Sequence, residues 1–293
     1  MKHIYNAANG IRKRVLDYTL RNNGGYLSQA CSSAEIMAAL YLRIMRLGPV
    51  AEPILPGVFC GVPGRQSGDY VPGHVFNGPR GPEYDRFFLS PTHYSLVLYA
   101  ALVEAGRMHS DGLSAFNRDG GVVEMIGAEH SPGMEVMTGS LGQGISQAAG
   151  MAMARKIRRE SGRVFVFMSD GELQPGQVWE AFQSMSFYRL DNMVVYVDIN
   201  GYQCDGPTCH VMKIEPLEER CAAFGCEVKR VDGHDVEALI GAAERKPAGK
   251  PLVVLCDTCP WQGIDILQDR APKFHYVRFR DEEEMERFRK YAV

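Results

Sequence analysis

Two oxygen-bearing side chains come just after apolar runs of strand length. Asp170 follows the run 164–168, and Asn200 follows the run 193–197. Such runs are typical of buried parallel strands, and open α/β sheets bind ligands at the carboxyl ends of their strands. A carboxylate and an amide are oxygen ligands that suit a hard cation, and Mg²⁺ usually shares such ligands with phosphate oxygens. The pattern therefore predicts a Mg²⁺ or Ca²⁺ site that holds a diphosphate.

A glycine follows each of these side chains. Gly171 lies where a strand would turn toward the helix predicted for 178–188, and a helix start presents free backbone N–H groups to an anion. The alternative is that Asp170-Gly171 is an ordinary strand-to-helix turn and that Asn200-Gly201 is an ordinary hairpin turn. Either dipeptide alone favours the ordinary turn, so the surrounding sequence decides.

Several further motifs surround the two dipeptides in a fixed order. They are Asp85-Arg86-Phe87-Phe88-Leu89-Ser90 followed by His93, the glycine-rich segment Thr138-Gly139-Ser140-Leu141-Gly142-Gln143-Gly144, the segment SDGELQPGQVWEAFQSMSFYRLDNMVVYVDINGYQCDG over 169–206, and Val231-Asp232-Gly233-His234-Asp235. In this order they resemble the thiamine-diphosphate signature of the transketolase family. The resemblance runs from about residue 11 to about residue 275.

Strand and helix patterns alternate along much of the chain. The alternation predicts an α/β fold with a doubly wound, mostly parallel sheet and helices on both faces, and the resemblance identifies it as the family's diphosphate-binding (PP) domain. We expect residues 1–293 to form one such domain, with a long irregular excursion at about 48–85 and a C-terminal extension at about 260–293. The predicted strands are 164–168, 193–197, 227–230 and 252–256, and the predicted helices are 4–22, 33–46 with Ser33 as its cap, 93–108, 145–159, 178–188, 217–224, 236–244 and one that includes the acidic run 281–284.

The resemblance implies a set of cofactor ligands. Asp170, the Asn200 side chain and the backbone carbonyl of Tyr202 would bind the cation, while His93 and Gly171 would contact the diphosphate. The full set implied to bind thiamine diphosphate is His93, Gly139, Ser140, Leu141, Ser169, Asp170, Gly171, Glu172 and Asn200.

Three residues receive a catalytic role from the same resemblance, namely His93, His275 and Glu180. His275 lies where the family has an active-site histidine near the end of this domain, and it is also implied to contact the substrate. Glu180 resembles the family's glutamate at a dimer contact that links two active sites. The alternatives are a hydrogen-bonded structural histidine at 93 and a plain surface glutamate on a helix at 180.

Four positions depart from the family pattern. Ser169 replaces the first glycine of the signature, and Pro175 replaces an acidic residue. Tyr26 lies near the position of a substrate-contacting histidine, and Met125 or its neighbours replace a second histidine. In the family, the histidines at these two positions bind sugar hydroxyls and phosphate. The departures therefore predict an unusual or modified ketose, or another acyl donor, with Tyr26 as a substrate contact.

The resemblance implies a second polypeptide. In the family, a following pyrimidine-binding domain holds the glutamate that activates the cofactor, and this chain ends before such a domain. We expect the N-terminal subunit of a two-component transketolase, which transfers a two-carbon ketol unit to an aldehyde. Its partner would carry the pyrimidine-binding and C-terminal domains in a dimer of heterodimers. The alternatives are the α subunit of a 2-oxo acid dehydrogenase and a noncatalytic subunit that keeps the fold.

Composition gives no indication of a nucleic acid or membrane partner. The net charge is −3, and apolar runs are far shorter than the roughly twenty residues of a spanning helix. The N-terminus lacks the apolar core of a signal peptide, so we expect a cytoplasmic protein. The eight cysteines lack paired zinc-type spacing, and most are expected to be buried thiols, although Cys256 and Cys259 leave a redox or metal role open.

Overall fold

A single parallel sheet forms the centre of the protein, as seen in a computed structural model that describes residues 1–62, 70–244 and 249–292. The strands are β1 (Arg86–Leu89), β2 (Val164–Ser169), β3 (Met193–Ile199), β4 (Tyr202–Gln203), β5 (Gly206–Pro207), β6 (Glu227–Asp232) and β7 (Leu252–Asp257). Five of them form the sheet in the order β1-β2-β3-β7-β6, and every neighbouring pair is parallel. β4 and β5 form a separate antiparallel pair.

Helices connect the strands and cover both faces of the sheet. They are α1 (Lys2–Asn22), α2 (Leu27–Ala39), α3 (Ser95–Glu104), α4 (Gly144–Ile157), α5 (Gly176–Phe187), α6 (Thr208–Val211), α7 (Leu217–Ala223), α8 (Val236–Ala243) and α9 (Glu282–Arg289). A five-residue π-helical turn, Leu40–Ile44, continues α2.

Side-chain alternation along the strands divides the core into two clusters. Successive side chains of a strand point to opposite faces, so Phe165 and Phe167 enter one cluster while Val164 and Val166 enter the other. The first cluster includes side chains of α1, α2, α3 and α8, and the second includes side chains of α4, α5 and α7. The predicted doubly wound α/β fold is therefore confirmed.

The structure differs from the predicted secondary structure at several places, which include the short elements β4, β5 and α6 that were not predicted. The second helix begins at Leu27, so Ser33 is not its cap. Ser33 lies within the helix, and the Ser33 hydroxyl donates to the carbonyl of Gln29 at 2.6 Å. The helix predicted for 93–108 is shorter, because a 3₁₀ turn, Thr92–Tyr94, precedes α3. The four-residue strand β1 was not predicted, since its apolar residues lie inside the motif 85–90.

The segment 48–85 has little regular structure in its described parts. It contains a 3₁₀ turn, Gly73–Asn77, and two isolated bridges, Ile54 to Met108 and Val58 to Gly121. Residues 63–69 of this predicted excursion lie outside the described residues. The predicted C-terminal helix is confirmed as α9, whose first turn is capped where the Asp281 carboxylate accepts from the N–H of Glu284 at 2.8 Å.

Burial of the cysteines differs from the prediction. Only Cys31, Cys221, Cys226 and Cys256 are buried, and no disulfide joins any of the eight. Among the residues that the structure describes, no group of three or more His, Cys, Asp or Glu side chains is arranged to hold a metal ion. Within the same ranges, none of the helices combines the length and apolar character that crossing a membrane requires.

Candidate functional site

The carboxyl ends of β2 and β3 meet beside a cavity of about 440 Å³. The register pairs Ser169 with Asp198, so Asp170 and Asn200 leave neighbouring strands at the same edge of the sheet. Nine of the predicted site residues line the cavity: His93, Leu141, Ser169, Asp170, Gly171, Glu172, Asn200, Tyr202 and His275. Chain segments far apart in the sequence are thus brought together at the edge where open α/β sheets bind ligands.

Asp170 is almost completely buried at this edge. Its Oδ1 accepts from the N–H of Gly171 at 2.7 Å. Its Oδ2 accepts from the N–H of Gly201 at 2.9 Å and from the Thr208 hydroxyl at 3.2 Å. Burial raises the pKa of Asp170 to about 7, Asp198 adds to the rise, and the hydrogen bonds oppose it. A divalent cation beside this carboxylate would favour its ionised form.

Asp198 joins the site from beneath and was not predicted. It is fully buried, and its Oδ2 accepts from the hydroxyls of Ser32 at 2.6 Å and Tyr94 at 2.7 Å. Its Oδ1 accepts from the Thr258 hydroxyl. Burial raises the pKa of Asp198 while these bonds oppose the rise. The sequence signal that could have identified Asp198 is a charged residue inside a buried apolar run. It lies two positions before Asn200 and hence on the same side of the strand.

Asn200 is held in one orientation by this network. Its amide nitrogen donates to the Tyr94 hydroxyl at 3.2 Å and to Asp198 at 3.3 Å, while its Oδ1 accepts from the N–H of Tyr202 at 2.9 Å. The Tyr202 ring packs against Phe274, with 4.7 Å between ring centroids. The three predicted cation ligands, Asp170, Asn200 and Tyr202, therefore lie on one cavity, and their donor atoms are all oxygen.

The glycine-rich loop lies over the segment that follows β1. Gly139 has φ +106°, and a Cβ there would come within 2.5 Å of the Thr92 Oγ1, so only glycine fits this close approach. Thr138 donates its hydroxyl to the carbonyl of Leu89 at 2.7 Å. Leu141 reaches the cavity, whereas Gly139 and Ser140 do not line it.

An aromatic cluster lies at the cavity. The Tyr26 ring centroid is 5.9 Å from that of His93 and 5.5 Å from that of His275, and the two histidine rings are 5.1 Å apart. Tyr276, which was not predicted, stacks edge-on against Tyr26 at 4.9 Å. The structure thus brings together the three side chains that the resemblance linked to substrate and diphosphate.

Both histidines are neutral in this cluster. Burial, with a smaller contribution from His275, lowers the pKa of His93 to about 3, and burial also lowers the pKa of His275. Ser28 donates to the Oε1 of Gln29 at 3.0 Å, which turns the Gln29 amide nitrogen toward the Nδ1 of His275 at 3.2 Å. Nδ1 is then the acceptor, and the proton of His275 resides on Nε2. Gln29 was not predicted, and no sequence motif points to it.

Three other positions singled out in the sequence have different surroundings. Glu180 is exposed on α5, outside this cavity, in a separate groove between α4 and α5. Met125 is half-buried, does not line the cavity, and donates its N–H to Asn117 at 2.8 Å. Pro175 does line the cavity, beside the start of α5.

The charges of the cavity suit a diphosphate that carries its own cation. Of the described residues that line it, none is lysine or arginine, and two, Asp170 and Glu172, are buried acids. A diphosphate alone would meet carboxylates without a compensating positive side chain. A hard divalent cation between the phosphates and the oxygens of Asp170 and Asn200 would balance both, and Mg²⁺ binds in this manner. The residues present therefore fit a cation-bridged diphosphate.

Asp170→Asn should change the pH dependence of stability in the ligand-free chain. Folding raises the pKa of this acid from 3.8 to about 7, so the free energy of unfolding falls as pH rises through that window. The amide has no proton to lose. The variant should therefore gain stability relative to the parent between about pH 4 and about pH 8, measured by urea denaturation midpoints. A difference between the two proteins that stays constant with pH would contradict this.

Comparison with known proteins identifies the family. The family described as "Transketolase, thiamine diphosphate binding domain" matches residues 74–283. The chain is 34% identical over 288 residues to the transketolase family protein y4mO of Sinorhizobium fredii, covering 96% of this chain and 92% of that protein. It is 31% identical over 278 residues to the 6-deoxy-6-sulfo-D-fructose transketolase subunit SqwG of a Clostridium species, covering 94% and 91%.

The fold agrees with this result. A transketolase from Leishmania mexicana superposes with a TM-score of 0.71 at 24% identity, over 99% of this chain and 44% of that one. The family match covers most of the chain, and the cavity lies at the ends of the strands that carry the signature. The chain therefore belongs to the transketolase family, of which it carries the thiamine diphosphate binding domain.

Proposed function

We propose that this chain is the N-terminal subunit of a two-component transketolase that uses thiamine diphosphate and Mg²⁺, or Ca²⁺ in its place. With its partner it transfers a two-carbon ketol unit from a ketose donor to an aldehyde acceptor. The observation that carries the proposal is the cavity at the ends of β2 and β3, where the buried carboxylate of Asp170 and the oriented amide of Asn200 lie together without lysine or arginine among the described lining residues.

Each residue of the cavity has a defined task in this proposal. Asp170, the Asn200 side chain and the Tyr202 carbonyl would hold the cation. Gly171, whose N–H donates to Asp170, would allow the diphosphate to approach its backbone, and the neutral ring of His93 would contact the diphosphate. The bound cofactor supplies a centre that stabilises the carbanion formed when a ketose bond breaks. His275 presents its Nε2–H, and Tyr26 its hydroxyl, to the substrate.

We propose that a second polypeptide completes the active site and that activity requires it. This chain spans only 44% of the Leishmania transketolase, whereas it matches nearly the whole length of SqwG, a protein described as a subunit. The second polypeptide would supply the pyrimidine-binding and C-terminal domains. A cavity lined by buried acids, together with the exposed ring of Tyr276 in the aromatic cluster, suits a site that another chain closes.

We propose that the donor is an unusual or modified ketose. Burial raises the pKa of Tyr26, so its hydroxyl stays protonated and gives the cavity a neutral donor where the family has a histidine. The two histidines that do remain nearby are also neutral. This part of the site therefore favours sugar hydroxyls over a phosphate. The name of SqwG gives an example of a modified ketose, whose sulfonate is an anion like a phosphate and would have to bind outside this neutral part of the site.

We propose that two copies of this chain meet through α4 and α5 in a dimer of heterodimers. A groove of about 500 Å³ between these helices is lined by Gly150, Glu180 and Tyr188 among others. Ile157 and Phe187, at the ends of the two helices, are 75% and 77% exposed. Apolar side chains beside a groove of small residues are typical of interaction surfaces. Glu180 then lies at the contact, as the resemblance implies.

Two other functions are less well supported. The α subunit of a 2-oxo acid dehydrogenase would also hold a cation-bridged diphosphate, but the family match is to transketolase. A noncatalytic subunit would not need two hydrogen-bonded oxygen ligands, on Asp170 and Asn200, at the edge of one cavity.

Thiamine diphosphate should bind to the complex of this chain with its partner only when Mg²⁺ is present. Asp170→Ala should weaken binding by at least about 100-fold, because one of the few protein ligands of the cation is lost. Calorimetric titration of the complex and of the isolated chain measures this. Glu219→Gln, an exposed glutamate on α7 and outside the cavity, is the control and should bind as the parent does. An undiminished affinity in Asp170→Ala, or no binding to the parent complex, would refute the cofactor assignment.

The reconstituted enzyme should prefer modified ketoses over common sugar phosphates. Initial rates with a panel of phosphorylated, sulfonated and deoxygenated ketoses would give kcat/KM for each donor. Tyr26→His should shift the preference toward sugar phosphates by about tenfold, since it restores a group that can carry positive charge. Tyr26→Phe is the matched control, because it loses the hydroxyl without gaining a charge. A parent enzyme that prefers common sugar phosphates would contradict the donor proposal.

Gly150→Arg should prevent the dimer of heterodimers while leaving the subunit folded. Gly150 is exposed on α4, and a Cβ there meets no atom within 4 Å in the subunit, but the longer side chain would fill the groove. Gly241→Arg on α8 is the control, because that glycine is also exposed and equally free of neighbours. Sedimentation of the complete complex should show half the assembly mass for the first variant and the full mass for the second. Full assembly of both variants would exclude this face.

A further inference from the structure

Glu172 is a buried carboxylate of the implied cofactor-binding set to which the proposed function assigns no task. It lies in a 3₁₀ turn, Gly171–Leu173, directly after the signature aspartate, and its side chain is fully buried. Its Oε1 accepts two hydrogen bonds, one from the Ser90 hydroxyl at 2.5 Å and one from the N–H of Gly142 at 2.9 Å. Its Oε2 is buried without a hydrogen-bond partner. Leaving a buried carboxylate oxygen unsatisfied is unfavourable, so this side chain calls for an explanation.

The first partner, Ser90, anchors the segment that carries His93. The N–H of Ser90 donates to the carbonyl of Phe167 at 3.1 Å, which ties the end of β1 to β2. The 3₁₀ turn that contains His93 begins two residues later. A Cβ on Gly144 would approach the Ser90 Oγ to 2.4 Å, so the start of α4 packs directly on this serine. The position of Ser90 therefore affects both His93 and the first turn of α4.

The second partner, Gly142, belongs to the glycine-rich loop. It has φ +85°, a left-handed conformation that side chains disfavour, and it directly follows Leu141, which reaches the cavity. A loop with a positive-φ glycine needs fixed contacts to hold one conformation. The bond from the Gly142 N–H to the Glu172 Oε1 supplies such a contact from a rigid strand end.

We propose that Glu172 is a positioning residue, which through its single oxygen Oε1 holds the glycine-rich loop and the His93 segment in the arrangement that binds thiamine diphosphate. This inference rests on the proposed function. Because the Glu172 side chain is fully buried and its Oε1 is engaged by Ser90 and Gly142, it acts through these segments. Geometry, and not charge, is then what position 172 must preserve.

Glu172→Gln and Glu172→Ala separate geometry from charge. Both hydrogen bonds converge on Oε1, so glutamine can keep them with its carbonyl oxygen while its amide replaces the unpartnered Oε2. Alanine removes the acceptor altogether. In the complex with the partner subunit, we expect thiamine diphosphate with Mg²⁺ to bind Glu172→Gln within about threefold of the parent. We expect binding about 10- to 100-fold weaker in Glu172→Ala, as for the loss of two buried hydrogen bonds.

Hydrogen exchange at the Gly142 amide gives a second readout that needs no cofactor. Exchange should be slow in the parent and in Glu172→Gln, and faster in Glu172→Ala and in Ser90→Ala. Ser90→Ala is the smaller change, so it can still be measured if Glu172→Ala does not fold. Equal weakening of binding by glutamine and alanine would overturn the proposal, as would an alanine variant with unchanged binding and exchange. If the parent complex binds no thiamine diphosphate, the proposed function fails, while the exchange comparison still tests the hold on the loop.

Discussion

The pairing of β2 with β3 is the constraint on which the site depends. Because Ser169 lies opposite Asp198, the two strands end together and bring Asp170, Asp198 and Asn200 to one edge of the sheet. Burial raises the pKa of Asp170, and the nearby Asp198 adds to the rise, so an ionised carboxylate here is costly in the ligand-free protein. Hydroxyl and amide donors offset part of this cost, and a cation beside the carboxylate would offset more. The charge of the site therefore suits a positive ion.

The sequence predicted those parts of the structure that depend on local pattern. Apolar runs identified β2, β3 and β7, because a strand that is buried on both faces carries little else. The half-buried β6 was predicted from its place in the alternation of strands and helices. The polar residues Asp170 and Asn200 were recognised because they interrupt this pattern at the strand ends. β1 was not predicted, because four residues are too few to show a strand period and the adjacent positions carry motif residues.

Sequence patterns could not predict the long-range contacts. The bond between Gln29 and His275 joins residues 246 positions apart, and neither residue has a neighbour in the sequence that indicates the other. The same holds for Ser32 and Thr258, whose hydroxyls meet on Asp198 from different segments. Such contacts follow from the docking of helix α2 and of the loop after β7 onto the sheet. Only the assembled sheet defines that docking.

The network beneath the cavity and the aromatic cluster differ in how their side chains are held. Asp198, Tyr94 and Asn200 are fixed by hydrogen bonds within the sheet edge, and the rigid strands beneath them leave little room for change. The aromatic cluster is held by ring contacts between Tyr26, His275 and the exposed Tyr276, and by the hydrogen bond between Gln29 and His275. His93 packs in the same cluster, so it lies between the network beneath the cavity and the ring of Tyr26. In the proposed function, a substitution at position 26 would therefore change the donor contact while leaving Asp170 and Asn200, whose hydrogen bonds do not involve Tyr26, in place.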